Sequence, residues 1–310
     1  MLWLAGLMGL LAVGAVGVID MDSSSDEDEG GEDVAETTGT GPTGDMEPTG
    51  DGDPSDTPGD ASQDTASDGA DGSDTVYGSD TSDTLQGGAG NDNLNGQSGD
   101  DLLIGGDGDD TLFGNNDNDT LLGGAGNDAL QGSDGTDFVN GGDGDDTVSG
   151  GLQSDTLSGG AGSDLVFGGW GDDVVNGVED DPDTDAVDDT DQGDMLNGGE
   201  GDDTIIAGND DTVTSGDGDD TIVGGSWITQ GNAMEIIDFN AADDNILLIY
   251  EDNADVPDIT LEADPNDPDV TQVFMDGVAV AQVLNGAGIS IQDISIMPLS
   301  LAQSAGMAPL

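Results

Sequence analysis

The sequence predicts an all-β chain: a solenoid of stacked nonapeptide units, closed by a small β-rich C-terminal capping domain and preceded by a disordered acidic tether. Three observations carry this. From Gly69 to Gly225 the chain reads in units of G-G-x-G-x-D-x-U-x, with U aliphatic. Within those units one aliphatic residue per nine allows only a thin interior column. After Gly225, short apolar runs separated by turn residues take over.

Composition sets the limits within which any such fold must work. The 310 residues hold 70 Asp plus Glu and no Lys, Arg or His, a formal charge of −70. Nucleic-acid binding needs cationic side chains to displace counterions, and is excluded. Ser-His-Asp, Cys-His and Schiff-base lysine chemistry, together with HExxH zinc sites, each need a residue the chain lacks. The absence of Cys removes disulfides and thiolate clusters. Oxygen ligands remain, and these suit hard cations such as Ca²⁺ and Mg²⁺. With 55 Gly, 3% aromatic and 33% apolar residues, an ordinary core is out of reach, so something else must stabilise the fold.

Met1 to Ile19 carries no charged side chain and is rich in Leu, Ala, Gly and Val. It is just long enough to span a bilayer. The Lys or Arg expected before a signal-peptide core is missing, so a cleaved signal, an anchor and an uncleaved apolar tip all stay open. Any membrane contact is expected through residues 1–19 alone. Residues 20–68 hold 17 acidic residues in 49 and no aromatic, and should form a self-repelling, extended spacer.

In the repeat region the U positions run from Val76 to Val175 in strict steps of nine, and Asp stands two residues before each. The pattern resumes at Leu196, Ile205, Val213 and Ile222, with one step of eight between Ile205 and Val213. Glycines at the first, second and fourth places are expected to supply positive φ for tight turns. A three-residue strand x-U-x points U inward and its neighbours outward. Leu102, Ile104, Leu122 and Phe138 should then face out on one sheet, and Phe113, Leu165 and Phe167 on the other. Two units complete one coil of eighteen residues, which aligns equivalent Asp residues on one edge. One ladder is Asp74, Asp92, Asp110, Asp128, Asp146 and Asp164; the other is Asp83, Asp101, Asp119, Asp137, Asp155 and Asp173. Asp194, Asp203, Asp211 and Asp220 continue the pattern. Carboxylates roughly 5 Å apart repel, and a cation between rungs converts that repulsion into cohesion. Ca²⁺ takes six to eight oxygens, so Asp pairs plus turn carbonyls could fill its shell.

Sixteen such units resemble the RTX family, the haemolysin-type calcium-binding repeats of proteins exported by type I secretion. The resemblance covers about half the chain. It implies a right-handed parallel β-roll and several Ca²⁺ ions held in the turns by the sixth-place Asp residues just named and by backbone carbonyls. It also implies export through the type I secretion machinery as an unfolded chain that folds outside the cell. Departures at the fourth place, Thr81, Gln153 and Gln192, predict weaker or absent sites; Asp117, also at that place, tolerates left-handed geometry better.

An acidic insertion of twelve residues falls within about 178–192. A tempting EF-hand match beginning at Asp181 fails, because Ala186 replaces the turn Gly and Gln192 the bidentate Glu. Residues 226–310 read as strands at 235–239, 245–250, 258–262, 271–275 and 278–284, with a hairpin at Asp276-Gly277. A solenoid needs its last rung covered, and the family adds an export signal near Leu310.

No catalytic set emerges, so the chain is expected not to be an enzyme. The leading expectation is a secreted, extracellular calcium-binding protein, structural or interacting, with a cell-surface or matrix partner left open. Two alternatives stand beside it: an export and folding module related to RTX enzymes with the catalytic domain missing, and a disordered polyanion that buffers Ca²⁺.

Overall fold

The computed structural model describes residues 66–68, 72–179, 189–190, 193–252, 255–284 and 288–307. All lie within the second of the chain's two units, 50–310. The apolar segment 1–19, residues 20–65 of the tether, the EF-hand-like loop with Gln192 but apart from Asp189 and Thr190, and Leu310 fall outside the described residues. The end of the tether, expected to be disordered, instead forms the strand Ala66–Asp68, which gains backbone partners by pairing in parallel with Thr84–Ala89.

The chain is an all-β parallel solenoid. Successive repeat strands go alternately to two sheets, which among the described residues have 11 and 12 strands. Each strand pairs in parallel with the strand one coil later, so Leu103 faces Leu121 and Val148 faces Val166, eighteen residues apart. The insertion is absorbed without breaking register: Val166 pairs with Leu196. The eight-residue unit is absorbed too, since Leu196 pairs with Val213.

Most repeat strands are longer than x-U-x. They run six residues, as in Asn93–Ser98, Thr111–Asn116 and Thr147–Leu152, carrying the strand through the first two glycine places. Only the fourth to sixth places are left to turn. Three-residue strands persist at Thr75–Tyr77, Val174–Asn176 and Thr204–Ile206, the last two just before the insertion and the shortened unit.

The U column forms the core. From Leu85 to Val175 each of its members is at most 2% exposed. Side chains on either side of U face outward, as the alternation of a strand requires. Leu102, Ile104, Leu122 and Phe138 belong to the 11-stranded sheet; Phe113, Leu165 and Phe167 belong to the 12-stranded one. Phe138, Leu165 and Phe167 are exposed, as are Trp170 at the end of Leu165–Trp170 and Leu152 and Met195 on the strands either side of it.

The strands of 226–310 extend these same sheets. Thr221–Gly225 pairs in parallel with Asn245–Tyr250, which pairs with Ile294–Pro298. Thr212–Asp217 pairs with Met234–Ile236, and this with Val278–Leu284. The last strand then turns back antiparallel against Val270–Met275, and that against Ile259–Ala263. The hairpin forms at Asp276-Gly277, both with positive φ, 51° and 82°. The sequence pattern did not reveal Ile294–Pro298 or the helix Leu299–Ala305, which ends at Gly306 with φ 72°. Trp227, 2% exposed, packs into the core and donates its indole N–H to the carbonyl of Ala207 at 2.9 Å.

Candidate metal centre

Most turns are made by the sequence Gly-x-Asp, with Thr81, Asp117 and Gln153 among the residues that replace the Gly in the others, and the sixth-place carboxylate faces inward. From Asp83 to Asp220 every register Asp is at most 4% exposed. One oxygen has a fixed task. The backbone N–H of each Asp donates to Oδ1 of the Asp one coil later, at 2.7 to 2.9 Å, from Asp74 onto Asp92 through to Asp203 onto Asp220. The two ladders expected from the eighteen-residue spacing are therefore hydrogen-bonded chains as well as rows of charge.

The other oxygen has none. Oδ2 is buried without a hydrogen-bond partner in Asp92, Asp101, Asp110, Asp119, Asp128, Asp137, Asp146, Asp155, Asp164, Asp173, Asp194, Asp203 and Asp220. An ionised oxygen in that condition costs more than the 1–3 kcal/mol of a neutral orphan. The first-place glycines explain where it sits. A Cβ on Gly132 would overlap Oδ2 of Asp137, and the same holds for Gly96 with Asp101 and Gly159 with Asp164. These glycines are absent from the residues of positive φ, unlike the second and fourth places, such as Gly88 at 105° and Gly90 at 126°. The first glycine thus serves space rather than backbone conformation, which corrects the expectation that all three serve φ.

Three of the sixteen register Asp residues differ. Asp74 lies in the first described turn and is half-buried. Asp83 receives Ser79 N–H at 2.6 Å and Ser79 Oγ at 2.9 Å on Oδ2; this is the unit with Thr81 at its fourth place. Asp211, in the eight-residue unit, receives Gly208 N–H on Oδ2 at 2.7 Å. At Gln153 the backbone takes the left-handed turn, φ 75°, as Asp117 does at 73°, and the neighbouring Asp155 keeps its unpartnered oxygen.

Burial pushes these carboxyls up, against the N–H at Oδ1 that pulls them down. Asp101, Asp110, Asp164 and Asp173 are raised to about 6, and Asp119, Asp146, Asp155 and Asp203 to about 7. Asp211 reaches about 8, and Asp194, with the charge of Asp211 added to its burial, about 9.

Sequence reasoning missed several parts of this centre. The fifth place, read as variable, forms its own chain running in the opposite sense. Asn127 N–H donates to Asp109 Oδ1 at 3.0 Å, Asp145 N–H to Asn127 Oδ1 at 3.3 Å, and Ser163 N–H to Asp145 Oδ1 at 3.1 Å. Asp244, two residues before the buried Ile246, adds a rung: its Oδ1 accepts Asp220 N–H at 3.4 Å. The spacing Asp244-x-Ile246 was a readable signal. On the other ladder the place after Asp211 is taken by Met234, fully buried, and the carboxylates stop there.

No three acidic side chains among the described residues converge closely enough to hold an ion by themselves. A cation would therefore draw on turn carbonyls as well as on the buried oxygens, an all-oxygen donor set that fits a hard divalent ion. Unpartnered oxygens, space kept clear by the first glycine, and repetition along two edges fit several Ca²⁺ ions.

Stacked parallel strands with carboxylate-lined turns define a calcium-binding β-solenoid. A family model described as the RTX calcium-binding nonapeptide repeat (4 copies) matches residues 68–103, 95–130, 122–157, 149–181, 188–222 and 208–226. Through residues 68–226 the chain belongs to the RTX family, whose repeats bind Ca²⁺. No curated protein matches the sequence. Among solved structures, the AlgE6R3 subunit of the Azotobacter vinelandii mannuronan C5-epimerase is similar at 18% identity and a TM-score of 0.25, over 46% of this chain and 77% of that one. The extracellular lipase LipA of Serratia marcescens is similar at 16% identity and a TM-score of 0.22, over 65% of this chain and 40% of the lipase. Among the described residues no helix is long and apolar enough to cross a membrane.

Proposed function

We propose that this chain is a secreted calcium-binding protein whose β-roll, residues 69–225, orders on binding Ca²⁺ outside the cell and serves as a structural or interaction module. The observation that carries the reading is the set of thirteen register carboxylates with a buried, unpartnered Oδ2. These thirteen are the ligands proposed, through that oxygen. Asp83 and Asp211 have theirs occupied by the protein's own donors. Residues 226–310 act as the cap and carry the export signal, and the partner outside the cell is a surface or matrix component. No carboxylate pair is given a catalytic role.

Without a cation the stacked carboxylates oppose folding. A cation that binds only the folded chain stabilises it by about 1.4 kcal/mol per site at tenfold excess over its dissociation constant. Several coupled sites then rival the whole stability of a domain, about 5–15 kcal/mol. Extracellular-type sites bind at ~10⁻⁴ to 10⁻³ M, so the switch operates at millimolar Ca²⁺ and not at cytosolic levels. The test is far-ultraviolet circular dichroism of the full chain. The β signal is expected to collapse in EDTA and return cooperatively with Ca²⁺; a spectrum indifferent to Ca²⁺ overturns the reading. Export is tested by comparing medium and cells with and without a type I exporter, and retention in both cases removes that part.

A further inference from the structure

We propose that the insertion supplies a Ca²⁺ site of its own, formed by Asp189 and Asp194, at the place where the repeat loses an ordinary cage. The inference rests on the reading that buried carboxylate oxygens of the repeats take Ca²⁺, and adds a ligand from outside the register.

Asp211 has both oxygens engaged, Oδ1 by Asp194 N–H at 2.9 Å and Oδ2 by Gly208 N–H at 2.7 Å. This turn therefore offers no open oxygen of the kind found in thirteen others. The insertion returns to the solenoid directly over it. Five residues before Asp194, the place glycine holds in most units, stands Asp189. Its Oδ2 accepts the backbone N–H of Asn209, and its carbonyl accepts Asn209 Nδ2 at 3.0 Å. The carboxylate lies where a Cβ on Gly208 would fall, so Gly208 makes room for it.

Two open oxygens result. Oδ1 of Asp189 is buried and unpartnered, and so is Oδ2 of Asp194, a residue 1% exposed. Asp189, Asp194 and Asp211 are near enough for their charges to act on one another. No cationic side chain exists in the chain to balance them. An ion of hard, oxygen-seeking character completes this pair as it does the register pairs, with carbonyls of the turn for the rest of its shell.

The site also joins three stretches of chain. The insertion is closed at its neck by Thr190, whose N–H and Oγ1 donate to the Glu179 carbonyl at 3.1 and 3.2 Å. Asn209, which holds Asp189, accepts Thr229 N–H at 2.8 Å on its Oδ1. An ion here clips the insertion to the shortened turn and, through Asn209, to the segment beyond Gly225.

Trp227 provides the probe, because its indole N–H is bonded to Ala207, the residue before Gly208. In the full chain carrying Trp3→Phe and Trp170→Phe, Tb³⁺ replaces Ca²⁺ and emission is excited through Trp227. Asp189→Asn keeps an acceptor for Asn209 N–H but removes the charge; Asp189→Gly restores the residue most units have. Both are expected to lower Trp227-sensitised emission to the level of the Trp227→Phe chain and to bind one ion fewer, with the β signal in Ca²⁺ retained. Asp128→Asn, several rungs away, is expected to bind one ion fewer and leave the emission unchanged. If Asp128→Asn loses an ion while both Asp189 variants keep emission and ion count, this proposal falls and the reading beneath it stands. If the parent chain binds no ion, both fall.

Discussion

Replacing one cage carboxylate by its amide should have opposite effects with and without calcium. Asp146 is 1% exposed; its Oδ1 accepts Asp128 N–H at 2.7 Å and its Oδ2 has no partner. Asn at this position keeps the first bond and removes the buried charge. Burial, helped by the charges of Asp164 and Asp128, raises the carboxyl from 3.8 to about 7. At about pH 8 that shift corresponds to ~4 kcal/mol. Screening by water at the turn brings the gain in the metal-free state to about 2 kcal/mol. In EDTA, Asp146→Asn should therefore order at lower concentrations of a folding osmolyte than the parent, read by circular dichroism. In saturating Ca²⁺ the sign reverses, because the variant forgoes the ~1.4 kcal/mol or more that one filled site contributes. Urea melts in Ca²⁺ should place it below the parent. A variant that is destabilised in EDTA, or unchanged in Ca²⁺, would refute the assignment of Oδ2 as a cation ligand.

Metal-free chain should also respond to acid. The folded carboxyls bind protons at about 6 to 7, against 3.8 when unperturbed, so their protonation favours the folded form. This contribution is fully present below about pH 4 and is lost as pH rises through about 6 to 7, with Asp211 and Asp194 extending the loss to about 8 and 9. In EDTA the β signal should grow on acidification, whereas in Ca²⁺ the midpoint of the calcium titration should rise as pH falls. Gly132→Ala places a methyl against Asp137 Oδ2 on a backbone that tolerates it, and should lose one ion by isothermal titration; Gly124→Ala, at φ 116° and against the Gly106 backbone, should impair folding even in excess Ca²⁺. Asp83→Asn should leave the ion count unchanged, since Ser79 already occupies its oxygen.

Much of this was legible because the repeat encodes it twice, once in the aliphatic column and once in the Asp two residues before it. The pairing of coils at eighteen residues follows from that period, and the hairpin at Asp276-Gly277 from its local chemistry. What stayed hidden depends on neighbours a coil away. Gly132 looks like any other glycine until Asp137 is placed beside it. Asn127 and Asp145 look variable because the requirement they meet, an acceptor for the N–H of the following coil, is satisfied by several residue types. Asp244 and Met234 sit beyond the glycine-rich units, where the pattern loses its punctuation. Ile294–Pro298 finds its place only by adding to a sheet whose edge, Ile246 opposite Ile294, lies 48 residues earlier in the chain.

The sixth-place ladder has an arrow. From Asp74 to Asp220 each register Asp N–H except that of Asp211 is held by a carboxylate that lies further toward the C-terminus, so along this ladder a coil leans on its successor. Trimming coils from the N-terminal side removes a donor and returns a carboxylate oxygen to water, which solvates it readily. Trimming from the C-terminal side strands a backbone N–H inside a turn. Asp244 ends one ladder with the acceptor that Asp220 requires, after the glycine repeats have stopped. A shortened chain that keeps residues 226–250 thus retains a template on which earlier coils can settle one after another, while a chain cut at Gly225 presents a last coil with nothing to lean on.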